Sequence, residues 1–455
     1  MGRIKDMTEG RPGKLILEFA LPLMLGNVFQ QLYTFVDTLV AGRALGMHAL
    51  AALGVTEWIT FLLFGFVQGV TQGFSVVIAR CFGAQRAGMR RERLEAGEDG
   101  SCRQAVFMGA CLCGGMAALF TVLGEMAVSP ILFWLKTPQE IRGLSEAYLR
   151  ILCGGIPISF CYNYLAAVLR ALGDSKTPLQ AMTASSVCNI VLDLIFVCVL
   201  GWGIRGAAAA TVAAQAVAAL LCFFQTTRLP WPASERGWRR INRRLLGDEL
   251  RMGIPMGLQS CITATGGLVV QAVVNGFGVV FLAGYTAANR IYGLLETAAS
   301  SYGYAMASYA GQNQGAGNGK RIDEGLRVAL QIGVVTAGLM SAIMVCFGKG
   351  ILDCFLTGDS GTIRMAGEAG YRFLCVLALF FPLLYVLYLI RSCVQGMGNA
   401  FWPMLSSMVQ LFMRVSCAVG LTALIGEWGL YCGEVLAWMG ADMLLAVVYQ
   451  KMKKD

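Results

Sequence analysis

The chain is 455 residues long, 56% hydrophobic and only 14% charged, with a mean hydropathy of +0.63. A soluble globular chain carries about 25% charged residues, and surface-to-volume scaling does not let a soluble protein of this size hide so much apolar surface, so a polytopic membrane protein is the expectation. The net charge of +9 includes no dense basic tail and no basic patch interleaved with aromatics, which argues against nucleic acid as a partner and leaves membrane lipids as one.

Apolar stretches of spanning length fall near 15–40, 50–80, 103–125, 147–171, 178–200 and 206–226, then near 250–275, 281–311, 325–347, 370–395, 403–424 and 430–449. Each approaches or exceeds the roughly 20 residues that a bilayer core requires. Twelve transmembrane helices in an all-α chain follow. The first run is long and leads straight into polar residues, unlike a cleavable signal peptide. Of the 36 Lys and Arg, 26 fall in segments on the side of the N-terminus, eight on the other side, and Arg290 and Arg414 within spans. The positive-inside rule then puts both termini in the cytoplasm.

The second half repeats the first at an offset near 225: Pro157 with Pro382, Gly173 with Gly398, Pro178 with Pro403, and Trp202-Gly203 with Trp428-Gly429 after one extra residue. Earlier the offset widens, with Pro22 facing Pro255 and Gly83-Ala84 facing Gly315-Ala316, as an insertion at 91–103 would cause. The repeat predicts two parallel six-helix lobes, 1–226 and 250–455, joined by a cytoplasmic connector at 227–249. Substrate cavities in such proteins lie between or within the repeats. Pro22, Pro157, Pro255 and Pro382 stand within or near the starts of spans, where each removes a backbone hydrogen bond and can bend a helix.

Asp37 and Asp193 each sit inside a spanning run. A carboxylate at membrane depth costs about 2.5–3.5 kcal/mol on insertion scales and is rarely kept there without a polar cavity. Gln30, Tyr33, Thr34 and Asp37 recur at three and four residues and share one face of the first helix; Asn189 and Asp193 share a face of the fifth. Tyr162 and Asn163 on the fourth helix and Thr211 on the sixth can join them. Two close carboxylates resist ionising together, so the pair can carry a proton; the same oxygens could coordinate Na⁺. The sequence leaves H⁺ and Na⁺ open. In the second half the counterparts fall near Val270 or Gln271 and near Met413 to Val415, with no acid, and Glu296 is its best buried acid.

Sixteen cysteines are mostly scattered singly through apolar runs, and a lone histidine, His48, gives zinc or haem little to bind. No nucleophile–base pair suggests an enzyme, no filter-like loop a channel, and no cofactor is expected.

In its ordered motifs the sequence resembles the multidrug and toxic compound extrusion (MATE) family over essentially its full length. The motifs are DMTEGRPGKLILEFALPLMLGNVFQQLYTFVDTLVAG at the start, GAQ after the second span, AVLRALGDSKTP after the fourth, GQNQGAG after the eighth and QGMGNAFWP after the tenth. The resemblance, closest to the DNA-damage-inducible branch of prokaryotic members, implies two six-helix lobes opening outward in a V. It also implies a functional monomer in the plasma (inner) membrane that exports small organic cations or drugs in exchange for H⁺ or Na⁺. On this resemblance Asp37 and Asp193 accept H⁺ or bind Na⁺, Asn189 and Thr211 complete that site, and Gln30, Tyr33 and Asn163 shape it and meet substrate. The alternative is a lipid-linked saccharide or lipid flippase of the same superfamily; few intramembrane arginines argue against its large cationic cavity.

Overall fold

The computed structural model describes residues 5–87, 101–229, 238–355 and 360–454, with side chains other than those of 32–43, 47, 50, 354, 355, 360, 362 and 454. The proposed insertion at 91–103 and much of the connector therefore lie outside the described residues. Pro12–Arg86 is a helical run broken at Gly46, whose φ of 79° only glycine adopts at no steric cost; α1 is 12–45 and α2 is 47–86. There follow α3 Cys102–Trp134, α4 Gln139–Gly154, α5 Ile156–Ala171, α6 Lys176–Asp193, α7 Ile204–Thr227, α8 Arg243–Asn275 and α9 Val279–Gly315. The chain ends with α10 Gly319–Phe355, α11 Ser360–Gly396, α12 Phe401–Ser416, α13 Thr422–Ile425 and α14 Glu427–Lys454.

Among the described residues ten helices are long and apolar enough to cross a membrane, and eleven when the bent pair α4–α5 counts as one span. The remaining predicted span, 281–311, lies in α9, which is 37 residues long but carries too polar a composition to meet that measure. All of the predicted runs are helical, and the fold is an all-α polytopic membrane protein. On α3, Leu119, Val122, Leu123 and Met126 are exposed, a face suited to hydrocarbon rather than water. Of the four prolines, Pro157 stands just after a 48° break, because it cannot donate the helix bond across Gly155. The helices holding Pro22, Pro255 and Pro382 run on through them.

The internal repeat reappears in backbone conformation. Gly173 (φ 86°) and Gly398 (φ 96°) end α5 and α11 in the same way: Asp174 N–H donates to Leu169 O (2.9 Å) and Asn399 N–H to Val394 O (3.2 Å). Asp174 then accepts from the N–H groups of Lys176 (3.0 Å) and Thr177 (2.9 Å) at the start of α6. The π-helical turn Leu194–Val199 after α6 has its equal in Cys417–Leu421 after α12. Gly203 (φ 62°, ψ −144°) matches Gly426 (φ 63°, ψ −140°). The sequence pairing of Trp202-Gly203 with Trp428-Gly429 is thus three residues out: backbone need fixes the glycine, whereas the tryptophan can shift along an interfacial loop.

Contacts divide the chain into two units. The first comprises Met1–Glu9, Leu21–Gly257 and Gly311–Gly317; the second comprises Gly10–Ala20, Leu258–Ala310 and Asn318–Asp455. In the first unit the start of α8 lies backbone to backbone against α2. A methyl group added at Gly73 would lie 2.5 Å from Gly253 Cα, and one at Gly69 would meet the carbonyl oxygen of Met256. Gly69 and Gly73 on α2 thus face Gly253 and Gly257 on α8, two small-residue pairs at four-residue spacing, the pattern that lets membrane helices approach closely.

Because backbone atoms cannot move aside as a side-chain tip can, Gly73→Val should destabilise the protein by about 1–3 kcal/mol, the usual cost of overpacking. Gly54→Ala, with nothing within 4 Å of the added carbon, should leave it unchanged. Thermal unfolding of the purified proteins in detergent checks the pair.

Candidate functional site

Within the first unit α6 carries two polar side chains almost wholly shielded from solvent, Asn189 (2% exposed) and Asp193 (1%). They continue the buried stripe that begins with Ser186, while Val187 and Val191 lie exposed on the opposite face. Among the described residues neither polar end of the Asn189 amide has a hydrogen-bond partner, a state that costs a buried amide about 1–3 kcal/mol.

Hydrogen bonds fix the levels of the neighbouring helices. Ser185 Oγ donates to Ala214 O (2.8 Å), locking α6 against the antiparallel α7. One turn further along α6 is Asn189, and three residues before Ala214 on α7 is Thr211, so these two stand level. Thr211 Oγ1 donates to its own helix at Ala207 O (3.1 Å) and keeps its lone pairs for accepting. Ser159 on α5 donates to Gln215 Oε1 on α7, one turn from Thr211. Asn163 is the outlier. It lies a turn on from Ser159 in the other direction and donates to Ser159 O (2.9 Å); at 5.4 Å per turn it is roughly 11 Å along the helices from Asn189. Tyr162 packs on the apolar cluster of Leu165, Ala166, Leu169, Ala181, Ala218 and Cys222.

The first helix meets α6 at Gly26, where an added methyl would lie 3.1 Å from Met182 Sδ. The same methyl would lie 3.8 Å from Leu179 Cα, so carried on at helical pitch the backbone of residue 33 comes level with Ser186 and that of residue 37 with Ile190, within a turn of Asn189 and Asp193. The side chains of Tyr33, Thr34 and Asp37 themselves lie outside the described residues. Gln30 is exposed and is the last position of its stripe whose side chain is described. Leu25 and Phe29 with Leu179, Thr183, Val187 and Val191 line an apolar groove of about 730 Å³ on the other face of α6. Among the described residues no group of three or more His, Cys, Asp or Glu is placed to hold a metal ion.

The second unit holds polar groups of its own. Tyr388 OH on α11 donates to Glu296 Oε1 on α9 (2.8 Å). Arg414 on α12 pairs with Glu434 on α14 at 2.7 Å, with only 11% and 14% of the side chains exposed. Arg391 donates to Ser406 Oγ (3.4 Å) and Gln410 Oε1 (3.2 Å), and Gln395 to Gln259 Oε1 (2.9 Å). Asp442 on α14 is buried with neither oxygen hydrogen-bonded. Sequence reading had placed Glu296 first among the acids here, yet it is half-buried whereas Asp442 is buried. Asp442 sits close before the polar end of the chain and so reads as a boundary residue. Glu427 is paired with Arg372 (2.9 Å) at the start of α14.

The motifs that carried the resemblance meet elsewhere, at the helix ends of the first unit. Met7 N–H donates to Gln312 Oε1 (2.8 Å), Asn313 Nδ2 donates to Met7 O (3.0 Å), and Gln312 Nε2 donates to Ala171 O (2.8 Å). A side chain at Gly173 would strike Lys5 O, and one at Gly83 would strike Gln312 O. DMTEG, GAQ, GDSKTP and GQNQGAG are therefore parts of one hydrogen-bonded knot.

Comparison with known proteins agrees with this architecture. The family model described as MatE matches residues 22–195 and 255–419. The "Probable multidrug resistance protein YpnP" of Bacillus subtilis is 29% identical, with 98% of this chain and 96% of that protein covered. The "Multidrug export protein MepA" of Staphylococcus aureus is 22% identical over 97% of this chain and 95% of its own. A solved structure described as the outward-facing conformation of a multidrug resistance MATE family transporter of the MOP superfamily shares the fold. Its TM-score is 0.89 at 23% identity, covering 100% of this chain and 98% of the other.

Removing one partner of the buried Arg414–Glu434 pair strands the other's charge. Arg414→Met should cost about 3–5 kcal/mol, whereas Arg414→Met with Glu434→Leu should recover most of that loss. Thermal unfolding of the two variants beside the parent decides it.

Proposed function

Because the chain belongs to the MatE family, whose members are transporters and not enzymes, we propose that it is a secondary active antiporter exporting organic cations or drugs in exchange for H⁺ or Na⁺. The names of its relatives, a probable multidrug resistance protein and a multidrug export protein, support drug efflux across the plasma membrane. The observation that supports the coupling is the close approach of α1 at Gly26 to Leu179 and Met182 of α6, the helix that carries the buried Asn189 and Asp193.

The proposed mechanism needs no cofactor. With Asp37 and Asp193 ionised, the first six-helix lobe, 1–226, attracts a cationic substrate, and Gln30, Tyr33, Thr34, Tyr162 and Asn163 border its path. A proton or Na⁺ arriving from outside cancels one of the two negative charges, and the hold on the substrate weakens. For Na⁺, Asn189 Oδ1 and Thr211 Oγ1 would supply oxygen donors beside the carboxylates. The lobes then change access around the ion, which leaves to the cytoplasm. Asn163, two turns away, serves the substrate rather than the ion. The active species is a monomer surrounded by lipid.

In vesicles with an imposed pH or Na⁺ gradient, Asp193→Asn and Asp37→Asn should each reduce extrusion of a cationic dye to the level of protein-free vesicles. Both should still insert and purify as the parent does. Gradient-driven extrusion at the parental rate by either variant would remove the ion assignment. Both termini should react with membrane-impermeant reagents only from the cytoplasmic side, as epitope tags in right-side-out and inverted vesicles report.

A further inference from the structure

The first unit contains a second buried acid that the transport reading does not use. Glu249, on the second turn of α8, is 0% exposed, and neither of its oxygens has a hydrogen-bond partner. The chain brings it there by docking the end of the connector on α3. Arg103 lies 4.1 Å from the ring of Trp238, Phe107 stands edge-on to that ring, and Gln104 Nε2 donates to Arg240 O (2.9 Å). The glycine contact between α2 and α8 then presses the first turns of α8 into the unit.

The groups around the carboxyl are few. Asp248 precedes it on its own helix. Cys113 on α3 and Tyr164 on α5 lie within electrostatic reach of it, the latter with its hydroxyl donated to Val106 O (2.5 Å). The Gly73–Gly253 contact sets Val77 of α2 level with it, with Arg80 and Cys81 a turn further on. No lysine or arginine among the described residues pairs with it. An unpaired carboxylate in such a place would cost several kcal/mol, and a bound proton removes the charge without any other partner.

We propose that Glu249 is a proton-binding site, separate from the Asp37/Asp193 cluster, which holds its proton while the start of α8 is packed into the first unit and gives it up when water reaches that end. It is the last residue of the polar connector segment and lies six residues, or roughly 9 Å of helix, from the start of α8. On the orientation proposed above this is the cytoplasmic side, where an inward-moving proton must leave. The inference extends the antiport reading but its first measurement does not depend on it.

Infrared spectra of the full-length protein in lipid, parent minus Glu249→Gln, should contain the band of a protonated carboxyl at neutral pH that disappears in strong base. A difference spectrum with only ionised carboxylate would overturn the proposal. If Glu249→Gln does not fold, Glu249→Asp is compared in the same way, with a displaced protonated band expected. In vesicles, Glu249→Gln should lose the dependence of dye extrusion on cytoplasmic-side pH while extrusion itself continues; an unaltered dependence would also overturn it. Failure of the antiport reading looks different, since Asp193→Asn would then extrude dye normally while the Glu249 band stays in place.

Discussion

Inside hydrocarbon a polar group keeps its place only where another part of the protein, water or a ligand answers it. That constraint sorts the whole molecule. Leu119, Val122 and Met126 turn outward on α3 while Ser186, Asn189 and Asp193 turn inward on α6. The helices of the first unit are held at fixed levels by side chains that donate to carbonyls across the gap, Ser185 to Ala214 and Tyr164 to Val106. At Gly109 the missing side chain leaves the Tyr164 hydroxyl room to reach Val106. The level at which Asn189 and Thr211 stand is set by the Ser185–Ala214 bond beside them.

The internal repeat separates what the fold requires from what function has altered. Gly173 and Gly398, and Gly203 and Gly426, have nearly the same backbone angles in the two halves, and each π-helical turn follows the helix equivalent to the other's. The polar residues do not obey the repeat. Where α6 ends on Asp193, α12 carries Arg414 and pairs it with Glu434. A duplicated frame can tolerate that divergence, since its geometry rests on glycines and caps rather than on the charges inside it.

Much of this was legible in the chain itself. Apolar run length marked all twelve helical runs, whereas of the stripe Gln30, Tyr33 and Asp37 only Gln30 has a described side chain, and it is exposed. Pro157 was legible as a bend because a missing N–H acts locally. Asp442 and Glu249 were not, because each lies near a polar helix end and burial there comes from tertiary docking that no local pattern encodes. The level of Asn163 was also hidden, since it depends on the Ser159–Gln215 contact between helices far apart in sequence. Four of the motifs have members in the Met7–Gln312–Ala171 knot, away from Asn189 and Asp193.

The buried polar groups fall into two physical kinds, and the distinction bears on which can move. Arg414 and Glu434 form a buried ion pair at 2.7 Å, so separating them is costly and the pair holds α12 to α14. Among the described residues Glu249 and the Asn189 amide have no such partner. A group of the first kind favours one arrangement of helices. A group of the second kind gains most from an ion, a proton or water, and its preference changes when one of these arrives. A carrier must have both: fixed pairs that keep each bundle intact, and unanswered groups whose occupancy can tip the balance between two arrangements.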